Sequence, residues 1–245
     1  MILTIAIGNT NTRFVWFHGR RVARTRELPT VEVCRGRWPQ PGWIAAVAVA
    51  SVVPDATRAV RALLRTGPRL TPFIVGPRTR TGLRFSYRRR DLGADRVCVA
   101  VGAHHRFPDR NLIVFDFGTA TTVNVVLREG VFAGGAILPG IQMSLDALAA
   151  GTARLPRLLP GKILSPVQRN TRAAMQAGVA ALFAGGVKHI IDQVERGLGR
   201  RFLVVSTGGA ARAARRYTRR TGLLRPNLAC EGLAELWYLN RGKRG

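Results

Sequence analysis

The chain has few acidic residues and almost no lysine. Its 245 residues include 39 Lys plus Arg against 13 Asp plus Glu, which gives a formal net charge of +26 at pH 7. All but three of the basic residues are arginine, and they are scattered along the chain. A basic surface attracts polyanions such as nucleic acid, but scattered arginine is also typical of a solvated surface and of a GC-rich genome. We therefore expect no nucleic-acid partner, although the charge does not exclude one.

Long apolar runs and paired cysteines are also missing. No apolar run approaches the roughly 18 residues of a membrane-spanning helix, and the first residues are strand-like without a basic leader. We expect neither a transmembrane helix nor a signal peptide. Cys34, Cys98 and Cys230 are odd in number and lack metal-ligand spacing, which indicates reduced thiols in a cytoplasmic protein.

No P-loop is present, but a glycine-turn hairpin occurs twice, roughly 110 residues apart. Each copy lies between two apolar runs, and its turn leaves N–H groups and Thr hydroxyls that can wrap an anion. Where the second copy has Asp116, the first has Ala6. The repeat predicts two homologous halves. The copies are Ile5-Ala6-Ile7-Gly8-Asn9-Thr10-Asn11-Thr12 and Phe115-Asp116-Phe117-Gly118-Thr119-Ala120-Thr121-Thr122.

The rest of the pattern alternates strands and helices, which is typical of an α/β fold. Residues 29–43, rich in Pro and Trp, are expected to be irregular. The most regular helical spacing of apolar residues runs from Thr171 to Val194, after Asn170 as a cap. The other predicted elements are strands at 44–53, 73–75 and 204–205 and helices at 54–64, 97–105, 142–150 and 228–239.

Several short stretches, taken in order, resemble type III pantothenate kinases over nearly the whole chain. The resemblance implies an α/β fold of duplicated ribonuclease H-like (actin-like kinase) halves, at residues 1–110 and 111–245, with a cleft between them. It also implies ATP-dependent phosphorylation of pantothenate to 4′-phosphopantothenate, the first step of coenzyme A biosynthesis. Mg²⁺, a monovalent cation (K⁺ or NH₄⁺) and a homodimer are implied with it. The stretches are Gly8-Asn9-Thr10-Asn11-Thr12, Ser51-Val52-Val53-Pro54, Gly93-Ala94-Asp95-Arg96, Asp116 to Thr122, Gly134 to Gly140, Ser144 to Leu148, Asn170-Thr171, Thr207-Gly208-Gly209 and Glu231-Gly232-Leu233.

The stretch Gly93-Ala94-Asp95-Arg96 carries the acceptor chemistry. Asp95 is the candidate catalytic base, because a carboxylate can take or orient the proton of an attacking hydroxyl. A helix N-cap is the alternative role for it. The resemblance implies that Arg96 holds the pantothenate carboxylate, and that Gly93 and Ala94 bind substrate beside it. A solvated surface arginine is the alternative for Arg96.

Two further substrate-binding residues follow from the resemblance alone. Tyr87 matches a tyrosine that lines the substrate pocket, and a core or surface aromatic is the alternative. Thr171 matches a threonine that contacts substrate, and a helix cap is the alternative. We expect both to converge with Asp95 and Arg96 on the acceptor side.

The two hairpins carry the phosphate side. Gly8, Asn9 and Thr10 in the first turn, with Gly118 and Thr119 in the second, are expected to bind ATP. Asp116 supplies a hard oxygen ligand of the kind that K⁺ or Mg²⁺ prefers, and the resemblance implies that it binds the monovalent cation. Stabilising its own turn is the alternative for Asp116. Gly208-Gly209 has two alternative roles: it allows the backbone to approach a nucleotide closely, or it simply forms a tight turn.

Two positions depart from the family pattern, since Ala6 and Asn124 stand where the family has Asp. Both changes are expected to remove negative charge facing the metal and the phosphates. Three functions therefore stay open: a pantothenate kinase impaired by Ala6, a kinase for another small hydroxyl compound, and a non-catalytic or regulatory relative that binds ATP or a pantothenate-like ligand.

Overall fold

The computed structural model describes residues 1–40, 42–161 and 165–241, and the two predicted hairpins open its two sheets. In chain order the elements are β1 (Ile2–Ile7), β2 (Asn11–His18), β3 (Arg21–Pro29), α1 (Thr30–Cys34), β4 (Ala46–Ser51), α2 (Pro54–Thr66), β5 (Phe73–Ile74), β6 (Arg84–Phe85), α3 (Ala94–Arg106), β7 (Leu112–Phe117), β8 (Ala120–Leu127), β9 (Val131–Pro139), α4 (Ile141–Ala150), α5 (Thr171–Leu198), β10 (Leu203–Thr207), α6 (Ala211–Ala214), β11 (Leu223–Leu224) and α7 (Leu228–Asn240).

The first sheet has the strand order β3-β2-β1-β4-β5. β1 and β2 are antiparallel, with Ala6 opposite Arg13, whereas β4 lies parallel to β1, with Ile7 opposite Ser51. The second sheet has the order β11-β10-β7-β8-β9-β6, in which β10 lies parallel to β7. Read from β3 and from β9, five successive strands of the two sheets follow the same order. The predicted duplication is therefore present in the topology.

The chain divides into two compact units, each built from more than one segment. The first contains Met1–Arg110, Asn124–Gly134 and Asn227–Gly245, and the second contains Asn111–Val123 and Gly135–Pro226. The division into halves at residues 1–110 and 111–245 stays a prediction.

The first unit buries both faces of its sheet. Leu3, Ile5 and Ile7 alternate along β1 and pack under α2, whose buried Ala56, Val60 and Leu64 recur every fourth residue as one helix face. The opposite face places Val15 and Phe17 of β2 against Cys230 and Ala234 of α7. Helix α7 packs in turn on α3, where glycines meet: a Cβ on Gly102 would lie 2.9 Å from the Gly232 nitrogen.

The second unit packs α5 on its sheet. Ile113, Phe115 and Phe117 of β7 contact Val187 and Ile191 of α5. The predicted cap is confirmed, because the Asn170 side chain accepts a hydrogen bond of 2.9 Å from the Ala173 N–H. The helix ends at Gly199, whose φ of 60° is left-handed.

Helix α5 is also long and apolar enough to cross a membrane, judged by length and composition only. One such helix is a weak indication, because the core helix of a soluble protein passes the same test. A third of its most apolar 18-residue window is buried.

Two elements are not indicated by the local sequence pattern. Residues 30–34, expected to be irregular, form the short helix α1. Strand β3 is exposed along nearly its whole length and lacks an alternating apolar pattern, so its extended form rests on pairing with β2. Charged residues along such an edge discourage pairing with another chain.

Candidate active site

The first glycine turn is a closed structure at the end of β1. The Gly8 N–H donates to the Asn11 carbonyl at 3.0 Å, and the Gly8 carbonyl accepts from the Thr30 hydroxyl at 2.7 Å. The Thr10 carbonyl accepts the Thr30 N–H at 2.8 Å. Asn9 and Thr10 are exposed at the tip. The turn is thus held from within the first unit, and its polar tip is accessible to a ligand.

The acceptor loop lies near the same edge of the first sheet. Strands β1 and β4 end side by side, and the Val52 N–H donates to the Ile7 carbonyl at 3.1 Å. A Cβ built on Gly93 would lie 3.9 Å from a methyl of Val52. Residue 52 therefore connects the first glycine turn with the 93–96 loop. A cavity of about 420 Å³ opens here, lined by Ser51, Val52, Val53, Pro54, Thr57, Arg58, Arg61 and Ile74.

Asp95 lies in the first turn of α3 and is half-buried. The N-cap of α3 is Gly93, so the alternative in which Asp95 is the N-cap is wrong. A Cβ built on Gly93 would meet Oδ1 of Asp95, so the Asp95 carboxylate lies close to the Gly93 backbone.

Arg96 is a buried cation. Only 6% of it is exposed, and its Nε donates to the Asn124 amide oxygen at 2.9 Å. The guanidinium carbon lies 5.7 Å from the ring centroid of Tyr87 and 5.6 Å from that of Phe132. The alternative of a solvated surface arginine is wrong. A guanidinium held among aromatic rings is suited to binding a carboxylate, because its donors are desolvated and their direction is fixed.

Tyr87 stands beside this cation as the sequence predicts. Its ring meets Phe132 edge-on at 6.2 Å, and 39% of the residue is exposed. Phe132 lies on β9. This strand pairs in parallel with β6, and Phe85 of β6 lies opposite Phe132. Tyr87 therefore forms the solvent-facing wall of the Arg96 site.

Asn124 has a different place from the one expected. The sequence suggests a position facing the metal and the phosphates, but the amide is fully buried and contacts Arg96. Strand β8 carries it into the first unit. The change from Asp to Asn therefore bears on the acceptor side and replaces a carboxylate beside Arg96 with a neutral oxygen.

The second glycine turn is a crowded backbone site around Asp116. The side chain of Asp116 is half-buried, and a Cβ on Gly208 would collide with its Oδ1. Gly208 has a φ of 91° and follows β10, which places Thr207 opposite Asp116. The close approach at Gly208 is thus to the chain's own Asp116 carboxylate and Phe117 carbonyl group.

Gly140 closes the same turn from the other side. Its N–H donates to the Thr119 carbonyl at 3.1 Å, and a Cβ on Gly140 would lie 2.7 Å from the Gly118 carbonyl oxygen. Gly118 and Thr119 remain exposed. A carboxylate and exposed main chain side by side form a cradle of oxygen and N–H groups, as a cation beside a phosphate requires.

Thr171 is the first residue of α5 and is exposed. The helix cap is Asn170, so the alternative role of Thr171 as the cap is wrong. Thr171, Asp116, Gly118 and Thr119 belong to the second unit. Their convergence with Asp95 and Arg96 of the first unit stays a prediction.

Ala6 is confirmed as the counterpart of Asp116. Strands β1 and β7 share one burial pattern, in which the fifth residue alone is half-buried. Ala6 packs beside Val15 and Cys230 and lies opposite Arg13. Nε of Arg13 donates to the Glu27 carboxylate at 2.9 Å.

The thiols near the site are protonated. Burial raises the pKa of Cys98 well above its ordinary value and that of Cys230 to about 11. Among the described residues no three His, Cys, Asp or Glu side chains form a metal-binding group.

Comparisons with known proteins show the family. A family model for type III pantothenate kinase matches residues 2–193. A type III pantothenate kinase from Syntrophotalea carbinolica is 34% identical over 256 aligned residues, covering 99% of this chain and 100% of the relative. Another from Anaeromyxobacter sp. strain K is 35% identical, covering 98% of this chain and 100% of its own length.

Solved structures show the fold. A Campylobacter jejuni protein described as a Baf family transcriptional activator matches with a TM-score of 0.66 and 18% identity, covering 98% of this chain and 100% of its own. The ethanolamine utilization protein EutJ from Carboxydothermus hydrogenoformans matches with a TM-score of 0.56 and 12% identity, covering 95% and 88%. The predicted fold of duplicated ribonuclease H-like halves, as in actin-like kinases, is confirmed.

Proposed function

Because this chain belongs to the type III pantothenate kinase family, we propose that it transfers the γ-phosphoryl group of ATP to the primary hydroxyl of pantothenate. The product is 4′-phosphopantothenate, and the step is the first of coenzyme A biosynthesis. The observation that carries the proposal is the buried Arg96 guanidinium beside Tyr87, one residue after Asp95.

On the acceptor side, Arg96 and Asp95 have different roles. Arg96 binds the pantothenate carboxylate through charge-assisted hydrogen bonds, Tyr87 covers the bound molecule, and Gly93 and Ala94 let it approach the backbone. Thr171 donates a hydrogen bond to it. Asp95 accepts the hydroxyl proton as the hydroxyl oxygen bonds to the γ-phosphorus, and the bond to the bridging oxygen of ADP breaks.

The phosphate side uses both glycine turns. We expect the exposed groups of Asn9 and Thr10, next to Gly8, to bind phosphate, and those of Gly118 and Thr119 to do the same in the second turn. Asp116 fits a monovalent cation, K⁺ or NH₄⁺, because its carboxylate stands in the backbone cradle at Gly208. Mg²⁺, when bound, neutralises charge on the phosphates, and it fits a site where few carboxylates are available, since it retains water and phosphate ligands.

A phosphate-transfer assay with ATP, Mg²⁺ and K⁺ against pantothenate tests the proposal. We expect turnover in the wild type and a fall of about 10²–10⁴-fold in Asp95→Asn, because a positioned acid–base group contributes that much. ATP affinity should stay near that of the wild type. Asp91→Asn is the matched control, since its carboxylate is exposed and meets only Arg90, at 3.8 Å, among the described ion pairs. Equal turnover in wild type and Asp95→Asn would remove Asp95 from the mechanism.

A non-catalytic or regulatory relative that binds ATP or a pantothenate-like ligand is the second candidate function. It rests on Ala6, where the matching strand of the second half carries Asp116. Binding of ATP or pantothenate by calorimetry without any phosphate transfer would favour it. Transfer to another small hydroxyl compound, with none to pantothenate, would indicate a kinase of different specificity.

We also propose that the chain forms a homodimer through α5 and acts in the cytoplasm. Leu182 on this helix is 68% exposed, and two thirds of the apolar window is not buried within the chain, which leaves apolar surface for a symmetric partner. Light scattering should give twice the chain mass of 26.7 kDa, with dissociation in Leu182→Glu. Val31→Glu on α1, where Val31 is 53% exposed, is the control. A stable monomer at low concentration would contradict the dimer.

A further inference from the structure

Arg89 differs from its neighbours in the 88–90 run of arginines. Arg88 and Arg90 are exposed, whereas Arg89 is half-buried. Its guanidinium carbon lies 4.4 Å from the ring centroid of Phe85, in cation–π contact. The local sequence gives no sign of which of three successive arginines turns inward.

The Nη2 of Arg89 reaches the turn at residues 76–79. It donates to the carbonyls of Thr79 at 3.2 Å, Gly76 at 3.4 Å and Pro77 at 3.4 Å. These are long hydrogen bonds, but a guanidinium shared among carbonyls on one turn has a fixed orientation.

The 76–79 turn is itself anchored to the core. The Gly76 N–H donates to the Thr79 hydroxyl at 2.9 Å, and the Thr79 N–H donates to the Gly76 carbonyl at 3.0 Å, which closes the turn. On one side of the turn, the Val75 N–H donates to the Val49 carbonyl of β4 at 3.0 Å. On the other side Arg80 exchanges hydrogen bonds of 3.1 and 2.9 Å with the Asn240 side chain of α7. Arg89 therefore fastens its own segment to a fixed frame.

That segment is the connection between the two parts of the acceptor site. A single 3₁₀ turn, Arg89–Asp91, separates Tyr87 from the loop that carries Asp95. Aromatic rings also connect the two parts. The ring centroids of Phe85 and Phe132 are 5.5 Å apart, and the Arg96 guanidinium carbon lies 5.6 Å from the Phe132 centroid. Arg89 contacts Phe85 and Arg96 contacts Phe132, so the two cations lie at the two ends of one pair of contacting rings.

The burial of Arg89 is costly. Its Nη1 is buried and has no hydrogen-bond partner among the described residues, and burial lowers the pKa of the guanidinium. An unsatisfied buried donor destabilises a fold. A role in holding the acceptor segment explains why an arginine stands here.

We propose that Arg89 is a positioning residue for the acceptor substrate: it holds residues 87–96 on the 76–79 turn so that Tyr87 and Arg96 keep their mutual geometry. The inference rests on the proposed function, because it concerns the acceptor half of that site. Arg89 is expected to affect pantothenate and not ATP.

Steady-state kinetics of Arg89→Met, Arg89→Lys and the control Arg90→Met test this role. Methionine retains the apolar stem and removes the donors and the charge. We expect the KM for pantothenate to rise about tenfold in Arg89→Met, since several net hydrogen bonds and one cation–π contact are lost. The KM for ATP should stay unchanged. Lysine retains a positive charge but lacks the planar guanidinium. The KM of Arg89→Lys for pantothenate should therefore lie between those of the wild type and Arg89→Met. Arg90→Met should match the wild type.

Native-state trypsin digestion with mass spectrometry gives a second readout that needs no activity. We expect cleavage after Arg88 and Arg90 to be slow in the wild type and faster in Arg89→Met at an unchanged melting temperature, because the freed segment opens locally. An unchanged KM for pantothenate, or an equal rise in both KM values together with a lower melting temperature, would overturn the inference. A wild type that neither binds nor phosphorylates pantothenate would refute the proposed function. In that case the trypsin comparison still decides whether Arg89 holds the segment, and equal cleavage in both proteins overturns it.

Discussion

Replacing Ala6 by Asp tests whether the phosphate side needs a second carboxylate. A group placed to stabilise charge in the transition state typically contributes about 2.7–4 kcal/mol, or roughly 10²–10³ in rate. The effect should fall mainly on kcat, because the interaction acts on developing charge and not on ground-state binding.

Arg13 competes for the new carboxylate. It lies directly opposite Ala6 in the β1–β2 pair, where Cβ atoms are about 5 Å apart. If the Arg13 guanidinium turns to within about 5 Å of the new carboxylate, the two charges attract by about 3 kcal/mol at an effective dielectric constant of about 20. This attraction is about as large as the expected stabilisation of the transition state. We therefore expect kcat to rise less than about tenfold in Ala6→Asp alone. The contact of Arg13 with Glu27 limits the competition without removing it.

The double variant Ala6→Asp/Arg13→Gln should release the carboxylate. Against Arg13→Gln as its reference, we expect a gain in kcat of about 10²-fold. The four proteins form a double-mutant cycle, which isolates the coupling between positions 6 and 13. The melting temperature should fall in Ala6→Asp, because the site is half-buried beside Val15 and Cys230 and a polar group buried there costs about 1–3 kcal/mol.

Initial rates at saturating pantothenate, with Mg²⁺ varied, provide the assay. A wild type as fast as an ordinary small-molecule kinase, with no gain in either Asp variant, would show that the carboxylate is dispensable and that the reasoning on the phosphate side is wrong. A wild type and variants that are all inert would favour the non-catalytic function.

The remaining predictions concern the thiols and the α3–α7 contact. In the native protein one thiol, that of the exposed Cys34, should react quickly with a disulfide reagent, and all three should react after denaturation. Folding raises the pKa of Cys230 to about 11, so the folded state retains a proton that the unfolded thiol loses above about pH 9. The free energy of unfolding should therefore fall as the pH rises from 9 towards 11, and less so in Cys230→Ala. Gly232→Ala should lower stability by about 1–3 kcal/mol, because the added methyl collides with the Cys98 carbonyl. Gly197→Ala in α5, which has open space, should raise stability by up to about 1 kcal/mol as measured by calorimetry; a loss at Gly197 equal to that at Gly232 would contradict the packing argument.

Much of the fold could be predicted because the signals are local. The glycine turns at Gly8 and Gly118 and the helical periodicity after Asn170 each lie within one stretch of sequence. The local sequence does not indicate strand β3, because its arginines carry no alternating pattern and its conformation depends on pairing with β2.

The candidate site divides in the same way. Tyr87, Asp95 and Arg96 lie within ten residues of one another, so one motif indicates them all. Phe132 and Asn124 reach Arg96 through strands β9 and β8, and nothing local links them to it. The inward turn of Arg89 depends on carbonyls ten or more residues earlier in the chain. Such partners follow from the sheet pairing and not from spacing along the sequence.

The place of α7 bears on how the protein is made. This helix comes last among the described elements but belongs to the first unit, where it covers Val15 and Phe17 and meets α3 at Gly102. During synthesis the apolar face of β2 is therefore uncovered until residues 228–240 have left the ribosome. The second unit, whose segments end at Pro226, is complete before that point. The half of the protein that carries Asp95 and Arg96 is thus the one that a chaperone has most reason to hold on the nascent chain.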